Sequence, residues 1–244
     1  MVDIHCHILP GVDDGSPDWQ VSGEMCRIAA GDGISHIVAT PHANEEYTYQ
    51  REEHAARLQE LQAKAGESPI LTLGCDFHLS FDNLQEAFKA PERYAISGTP
   101  YLLVEFSDFG VSRYVYDAIY RLRSQGTIPI VTHPERNRML QRHPEEVLRF
   151  AEQGCIIQVT ASSFTGNWGG TARKSAEWLL KRDSVHVLAT DAHDTRHRPP
   201  VLSAGREAVA KLVGHDIAHA LVEDNPAAIV AGESLPYLPA PVMR

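Results

Sequence analysis

From its third residue the chain reads Asp3-Ile4-His5-Cys6-His7-Ile8-Leu9-Pro10-Gly11-Val12-Asp13-Asp14-Gly15. In an extended strand, side chains two residues apart point the same way, so His5 and His7 converge and Cys6 points away. The residues that follow favour a turn, which can bring a carboxylate back towards the two imidazoles. Histidine nitrogens beside carboxylate oxygens bind borderline divalent metal ions. A His-x-His pair alone is weak evidence, so the metal prediction depends on partners elsewhere in the chain.

The composition is that of an ordinary globular protein. The 244 residues are 43% hydrophobic and 22% charged, which fits a single domain over 1–244. The net charge of −10, with no basic patch, argues against nucleic acid or an anionic membrane as the main partner. No apolar run approaches the roughly 20 residues of a membrane span, so we expect no direct membrane insertion. We also expect no signal peptide ahead of the first motif.

The cysteines indicate a reducing compartment. Cys6, Cys26, Cys75 and Cys155 lie in apolar surroundings and form no Cys-x-x-Cys pair. This spacing argues against a zinc ribbon or a redox motif. We therefore expect reduced core thiols in a cytoplasmic protein.

Short β-branched and apolar runs alternate with segments of helical periodicity. Seven runs are predicted strands, at 2–6, 35–40, 70–75, 101–106, 128–132, 155–160 and 185–190. Helices are predicted at about 17–31, 49–65, 83–88, 113–126, 143–154, 169–180, 202–213, 216–221 and 226–231. We expect Ser16 and Ser112 to be N-caps, and the Pro-rich tail from about 235 to be irregular. Strands mostly 25 to 35 residues apart imply βαβ units and a parallel sheet, in a chain of the size of an α/β barrel.

Metal-competent side chains lie at or near the ends of six of the seven predicted strands. They are His5, His7, His42, Asp76, Glu105, His133, Asp191 and His193. In a parallel barrel the carboxyl ends of the strands open on one face, where active sites are built. Core packing explains such a set poorly, because each buried polar group would need its own partner. The sequence therefore predicts a metal site on one rim.

The motifs resemble a known family in their combination and order. They are His5-x-His7 with Leu9-Pro10-Gly11-x-Asp13-Asp14-Gly15, then Thr40-Pro41-His42, Glu105-Phe106, His133-Pro134-Glu135-Arg136 and Thr190-Asp191-Ala192-His193. Over residues 1 to about 232 the chain resembles the PHP (polymerase and histidinol phosphatase) superfamily. The branch it resembles is the metal-dependent bacterial protein-tyrosine phosphatases of capsule and exopolysaccharide clusters, the CpsB/YwqE type.

The resemblance implies a fold and a cofactor. The fold would be a distorted (β/α)7 TIM-like barrel of the PHP type, and the cofactor two to three divalent ions, Mn²⁺ with Fe or Zn as alternatives. Three ligand sets are implied: His5, His7, Glu105 and Asp191; His42, Glu105 and His133; and Asp14, Asp76 and His193. Arg136 and Arg198 match phosphate-contacting arginines. The implied substrate is a phosphotyrosine protein, namely a membrane-associated tyrosine autokinase that regulates polysaccharide synthesis.

One departure from the family pattern concerns the third strand. The family often has Glu where Asp76 stands and Arg where His78 stands. Asp is one methylene shorter, which favours weaker or water-mediated binding of the third ion. His78 is then either an accessory ligand or, as histidines more often are, a loop or core residue.

Several metal ions held by His and carboxylates suit hydrolysis of a phosphomonoester. The proton donor stays open between His42 and a metal-bound water. A cysteine-phosphatase mechanism is excluded, because no Cys is followed by Arg at the Cys-x5-Arg spacing. The main alternative is a small-molecule phosphatase of the histidinol-phosphatase type or a nuclease-like phosphoesterase. A second alternative is an amidohydrolase, but an amidohydrolase usually carries a metal-bridging Lys, and no strand end in this sequence has one. A third alternative is a PHP domain kept as a structural or binding module, but such domains typically lose metal ligands, and the set here looks complete.

Overall fold

Parallel strands alternate with helices along the whole chain. The computed structural model describes residues 1–107 and 113–242. In these ranges the strands are β1 (Val2–Cys6), β2 (His36–Ala39), β3 (His42–Ala43), β4 (Ile70–Leu73), β5 (Asp76–His78), β6 (Tyr101–Glu105), β7 (Ile128–Thr132), β8 (Ile156–Thr160) and β9 (Val187–Ala189). The helices are α1 (Trp19–Gly31), α2 (Arg51–Ala65), α3 (Phe81–Ala87), α4 (Arg113–Ser124), α5 (Arg138–Arg142), α6 (Glu145–Glu152), α7 (Ala161–Thr165), α8 (Gly169–Leu180), α9 (Ser203–Val213), α10 (His215–Val222) and α11 (Asp224–Ala231). A 3₁₀ turn covers Pro91–Arg93.

The strands form two parallel sheets. One has the order β1-β2-β4 and the other the order β3-β5-β6-β7-β8-β9. A parallel bridge between Cys6 and Ala192 also joins β1 to the segment that follows β9. The predicted α/β class with parallel sheets is confirmed.

Two of the predicted strands are interrupted close to their carboxyl ends. Between β2 and β3 the chain passes through Pro41, which has no N–H to donate to a sheet. Between β4 and β5 it passes Gly74, where a Cβ atom would lie 2.9 Å from Val38 Cγ1. After the interruptions, His42 and Asp76 are paired in register on β3 and β5. The two breaks therefore set these two residues side by side.

The alternation of strand side chains explains how polar groups reach the interior of the rim. On β6, Tyr101 and Leu103 belong to a small apolar cluster that includes residues of β1, β7, β8 and β9. Glu105 lies two residues further along the same face, because strand side chains alternate with a period of two. On β9, Ala189 is in this cluster, and Asp191 lies two residues beyond it, after the strand has ended. The apolar cluster therefore forms the floor below the polar rim.

The structure corrects several details of the helices. Asp18 is the N-cap of α1, since its side chain accepts from Val21 N, whereas the hydroxyl of the predicted cap Ser16 donates to Asp18 O. The short helices α5 and α7 were not predicted, because five residues are too few to show a helical period. The predicted cap Ser112 lies outside the described residues.

The carboxyl-terminal segment packs against the body of the protein. Residues 233–242 contain no helix or strand. Tyr237 N donates to Asn225 Oδ1 at 3.0 Å, and Asn225 Nδ2 donates to Tyr237 O at 2.6 Å. All four cysteines are free and buried. No helix in the described ranges has both the length and the apolar character needed to cross a bilayer.

Candidate metal centre

His5 and His7 converge at the carboxyl end of β1. Their Nε2 atoms lie 3.2 Å apart, and both side chains are buried. On the other side of its ring, His5 Nδ1 lies 2.9 Å from Gln158 Oε1. Such a second hydrogen bond fixes the ring orientation and the tautomer of a metal-binding histidine. The Nε2 atoms are thus held side by side, as two ligands of one ion are.

The turn after β1 returns to His7 as the sequence predicted, and the carboxylate that contacts the ring is Asp13. Asp13 Oδ2 accepts from His7 Nδ1 at 2.7 Å and from His42 N at 3.1 Å. The turn is tight, since a Cβ atom at Gly15 would lie 2.2 Å from His7 O. Asp13 was not a predicted site residue, although its place beside the predicted ligand Asp14 was a signal.

Most of the predicted ligands meet in three overlapping groups of donor atoms, each within 4.8 Å of one another among the described residues. The groups are His7, Asp14, His42 and His193; His5, His7 and Asp76; and His42, Asp76 and Glu105. His133 and Asp191 lie at the edges of these groups. His133 Nε2 is 3.6 Å from Glu105 Oε1, and Asp191 Oδ1 is 3.4 Å from His5 Nε2. All nine predicted metal ligands therefore lie at one site.

The grouping differs from the sets that the resemblance implies, most clearly at Asp76. Asp76 lies with His5 and with His42, whereas Asp14 and His193 form a group without it. Asp76 Oδ2 is 3.5 Å from His5 Nε2 and 3.3 Å from His42 Nδ1. Asp76 therefore lies between His5 and His42 and belongs to two of the three groups. His78 belongs to none of the three groups, and lies in the wall of the adjacent cavity.

The donors fit a divalent metal ion. Both carboxylate oxygens of Asp76 and the Nδ1 atom of His42 are buried without a hydrogen-bond partner among the described residues. Such groups normally find a partner, and orphaned ones need an explanation. Imidazole nitrogens and carboxylate oxygens are a donor set suited to manganese, iron or zinc.

The charge distribution at the site favours a cation. Burial lowers the pKa of His42, but the nearby carboxylates of Asp14 and Asp76 outweigh burial and raise this pKa to about 11. Burial likewise lowers the pKa of His7, and the charge of Asp13 outweighs it and raises this pKa to about 9. Burial, followed by the charge of Asp76, raises the pKa of Glu105 to about 7. Carboxylates that stabilise protonated imidazoles in this way would also stabilise a metal cation.

Both predicted arginines reach the site through one carboxylate. Arg136 Nη1 donates to Asp191 Oδ2, and Arg198 Nη2 donates to the same oxygen at 2.7 Å. Burial raises the pKa of Asp191, but the charges of Arg136 and His5 outweigh it and hold this pKa well below its usual range. Asp191 is therefore a carboxylate anion that faces the arginines with one oxygen and the histidines with the other.

Two residues of the rim have unusual backbone angles. His133 has φ +33° and Asp191 has φ +50°, both in the left-handed region. This region is unfavourable for residues other than glycine, and such residues occur where function requires a particular side-chain direction. At both positions the turn follows the end of a strand and points the side chain into the site.

A cavity of about 550 Å³ opens beside the donors. Its lining includes Glu105, His133 and Arg136, together with Asn44 and Phe106. A volume of this size accommodates a small organic ligand such as an aryl phosphate.

Comparison with known proteins agrees with this geometry. The sequence model of the family described as "Capsular polysaccharide synthesis, CpsB/CapC" matches residues 1–231. The chain belongs to this family. The tyrosine-protein phosphatase YwqE of Bacillus subtilis is 31% identical over 228 residues, which cover 92% of this chain and 89% of YwqE. The tyrosine-protein phosphatase CpsB of Streptococcus pneumoniae is 28% identical over 239 residues, 94% of this chain and 98% of CpsB.

A solved CpsB/CapC structure has the same fold. It comes from work on YwqE of Bacillus subtilis and CpsB of Streptococcus pneumoniae, described as unique metal-dependent tyrosine phosphatases. The two structures match with a TM-score of 0.89 at 30% identity, over 100% of both chains. The predicted membership of the tyrosine-phosphatase branch is thus confirmed at the level of the family.

Proposed function

We propose that the protein is a metal-dependent protein-tyrosine phosphatase that hydrolyses phosphotyrosine monoesters. The observation that carries this proposal is the convergence of all nine predicted metal ligands on one rim, beside two arginines. The names of the CpsB/CapC relatives support the substrate class.

We propose His5, His7, Asp14, His42, Asp76, Glu105, His133, Asp191 and His193 as the ligands of two to three divalent ions. Manganese is the proposed metal, with iron and zinc as alternatives that the donor atoms also suit. Ions bound there would supply Lewis acidity towards the phosphoryl group and would activate the attacking water.

The arginines are the proposed phosphate-binding groups. A guanidinium presents two parallel N–H groups, which match two oxygens of a phosphoryl group. Arg136 and Arg198 lie over Asp191 at the edge of the donor cluster, so their remaining N–H groups can bind phosphoryl oxygens while Asp191 holds their position. In phosphoryl transfer, such groups stabilise charge on the equatorial oxygens in the transition state.

The leaving group makes only a small demand on the protein. A tyrosyl phenolate has a pKa of about 10, so it departs with little protonation. His42 is half-buried and belongs to two of the three groups, and it is the proposed proton donor wherever its ring is not occupied by an ion.

We also propose the finer features that the sequence predicted. Residues 1–244 form one domain, and the two sheets together form a distorted (β/α)7 barrel. The Cys6–Ala192 bridge and the hydrogen bond from His7 N to Ala192 O at 2.8 Å support closure between the first and last strands. The proposed substrate is a membrane-associated tyrosine autokinase of capsule or exopolysaccharide synthesis. A cytoplasmic location is supported by the four free, buried cysteines.

The function is tested with the protein loaded with Mn²⁺ and a phosphotyrosyl peptide. We expect turnover that a chelator abolishes and that thiol alkylation leaves intact, because the cysteines are buried and none is a proposed nucleophile. Elemental analysis should give two to three ions per chain, as for other multinuclear phosphatases. The variant His5→Ala should lose both metal and activity, and the exposed His215→Ala is the matched control.

Two results would contradict the proposal. A metal-free His5→Ala variant with wild-type activity would exclude the metal mechanism. A much higher kcat/KM for histidinol phosphate than for the peptide would favour the small-molecule phosphatase.

A further inference from the structure

Both arginines of the site stack against one tryptophan. Arg136 Cζ lies 4.0 Å from the ring centroid of Trp168, and Arg198 Cζ lies 5.1 Å from it. Both guanidinium groups also donate to Asp191 Oδ2. The two cations are therefore held between one carboxylate and one indole ring.

The indole is fixed by its own segment. Trp168 Nε1 donates to Ser162 Oγ at 2.9 Å, and Ser162 lies in α7, directly after β8. On either side of Trp168, Gly166 has φ +90° and Gly169 has φ +84°, angles that glycine adopts without strain. Since the single N–H of the indole is used by Ser162, the ring turns its face to the arginines.

The indole is poorly explained as a packing residue. It is only half-buried, and it borders a cavity of about 140 Å³ that Thr190 and Arg198 also line. Two adjacent guanidinium groups repel each other, and Asp191, the carboxylate that both contact, carries one negative charge. The charges of Glu135 and Glu105 also act on Arg136. The electron-rich face of an indole attracts cations, and this attraction strengthens when the cation is removed from water.

We propose that Trp168 is a positioning residue for the phosphate-binding arginines: by stacking on both guanidinium groups, it holds them in place before the phosphoryl group binds. The inference rests on the proposed function, because it assumes that the two arginines bind phosphate. Trp168 acts through the arginines and is not a member of any of the three groups described above. Fixing a binding group in advance removes the cost of ordering it in the transition state.

The test compares two substitutions of similar bulk. Trp168→Leu removes the aromatic face, and we expect kcat/KM on a phosphotyrosyl peptide to fall roughly tenfold or more. The inhibition constant of inorganic phosphate should rise by a similar factor, with metal content unchanged. Trp168→Phe keeps an aromatic face and should restore most of both values. The matched control is Trp178→Leu, because Trp178 also stacks on an arginine, Arg182, with 3.8 Å between Cζ and the ring centroid, and neither is a predicted site residue.

A double-mutant cycle separates positioning from packing. In an Arg136→Ala background, and likewise in an Arg198→Ala background, Trp168→Leu should lower kcat/KM by a smaller factor than in the wild type, because residues that act together are not additive. Equal losses in Trp168→Leu and Trp168→Phe would overturn the inference, as would a loss that is unchanged in both arginine backgrounds.

A second measurement needs no change at Trp168 and no turnover. In a Trp19→Phe, Trp178→Phe protein loaded with Mn²⁺, Trp168 is the only tryptophan left of the three in the sequence. Inorganic phosphate should change its fluorescence saturably, and Arg198→Ala should remove this change. A protein that binds phosphate calorimetrically with no change in Trp168 fluorescence would overturn the inference. A protein that binds phosphate with the expected fluorescence change but hydrolyses no phosphotyrosyl peptide would overturn the proposed function and leave the inference standing.

Discussion

Arg198 donates to Asp191 Oδ2 at 2.7 Å, while Asp191 Oδ1 lies 3.4 Å from the Nε2 atoms of both His5 and His7. One buried carboxylate therefore joins the arginines to the donor cluster. A substitution at an arginine changes the surroundings of a proposed metal ligand as well as the proposed phosphate contact. Metal content must accordingly be measured together with rate for every variant at this site.

The first prediction concerns these arginines. Arg136→Ala and Arg198→Ala should each lower kcat/KM on an aryl phosphate by about 30- to 1000-fold, since a lost transition-state contact of this kind is worth about 2–4 kcal/mol. Arg→Lys should restore activity only in part, because an ammonium group is a point charge without a planar fork. Steady-state kinetics with parallel elemental analysis measures both effects.

Arg196 is the control for this prediction. It is exposed and lies two residues before Arg198, in the loop that Asp194 caps through its Oδ1. Arg196→Ala should leave kcat/KM close to the wild-type value. If Arg196 proved essential and Arg198 dispensable, the phosphate-binding residue of this loop would be wrongly assigned.

The sequence predicted the rim well, because its pattern is local. Strand side chains alternate, and the ends of parallel strands share one face, so His5, Glu105 and Asp191 could be placed together from their positions alone. In the structure His5 lies beside Asp191, and Glu105 lies at the same site beside His42 and His133. These residues also occur along the chain in the same order as the family motifs that contain them.

Other parts of the site could not be predicted, because they depend on contacts distant in sequence. Gln158 supports His5 from a strand 153 residues away, and Trp168 stacks on arginines in two other loops. A lone Gln in an apolar strand and a lone Trp before a helix have no distinctive spacing. The central place of Asp76 depends on the interruptions at Pro41 and Gly74, which sequence periodicity does not show.

The second prediction concerns Asp13. Its carboxylate accepts from His7 Nδ1 at 2.7 Å, which leaves Nε2 as the nitrogen of this ring that can bind a metal ion. Asp13→Asn removes the charge that makes the ring basic, so we expect metal affinity to fall about 10- to 100-fold. Competition with a chelator of known affinity measures this change.

Asp18→Asn is the matched control, because Asp18 caps α1 at the surface and asparagine caps helices equally well. It should leave metal affinity unchanged. An Asp13→Asn variant that binds Mn²⁺ as tightly as the wild type would show that His7 does not depend on this contact.

The third prediction compares two glycines, Gly15 in the turn after β1 and Gly23 in α1. A Cβ atom at Gly15 would lie 2.2 Å from His7 O and 2.4 Å from His7 Cβ, so the turn must open to admit it. Gly15→Ala should lower the free energy of unfolding by about 1–3 kcal/mol, as overpacking does, and should weaken metal binding. Urea unfolding and metal titration measure the two effects.

Gly23 supplies the opposite case within α1. Nothing lies within 4 Å of a Cβ atom built there. Gly23→Ala should raise the free energy of unfolding by about 0.5–1 kcal/mol, because alanine favours a helix interior, and should leave metal binding unchanged. Tight metal binding by Gly15→Ala would show that the turn is not needed to form the site.

The fourth prediction concerns stability at acid pH, and depends on a histidine at the opposite end of the strands from the rim. His186 is buried next to β9, and its Nδ1 accepts from Ile157 N at 3.0 Å. Burial lowers its pKa from 6.5 to about 4, against a smaller opposing effect of a hydrogen bond to Pro239. Between these values the unfolded chain binds a proton that the folded protein does not. His186 therefore contributes stability above pH 6.5 that is lost as the pH falls towards 4.

We expect this loss to reach about 2 kcal/mol by pH 5, from a pKa difference at about 1.36 kcal/mol per pH unit. His186→Asn places an amide oxygen where Nδ1 accepts from Ile157, and His186→Gln places its amide towards Pro239. Neither side chain titrates, so urea unfolding of both variants should show a weaker decline between pH 7 and pH 5 than that of the wild type. The difference in free energy of unfolding between the wild type and a variant should change by the same amount between pH 7 and pH 5 for both variants, because both lack the same titrating imidazole. Parallel declines in all three proteins would mean that His186 takes up no proton on unfolding, and that the acid sensitivity arises elsewhere, above all in the carboxylates and histidines of the rim.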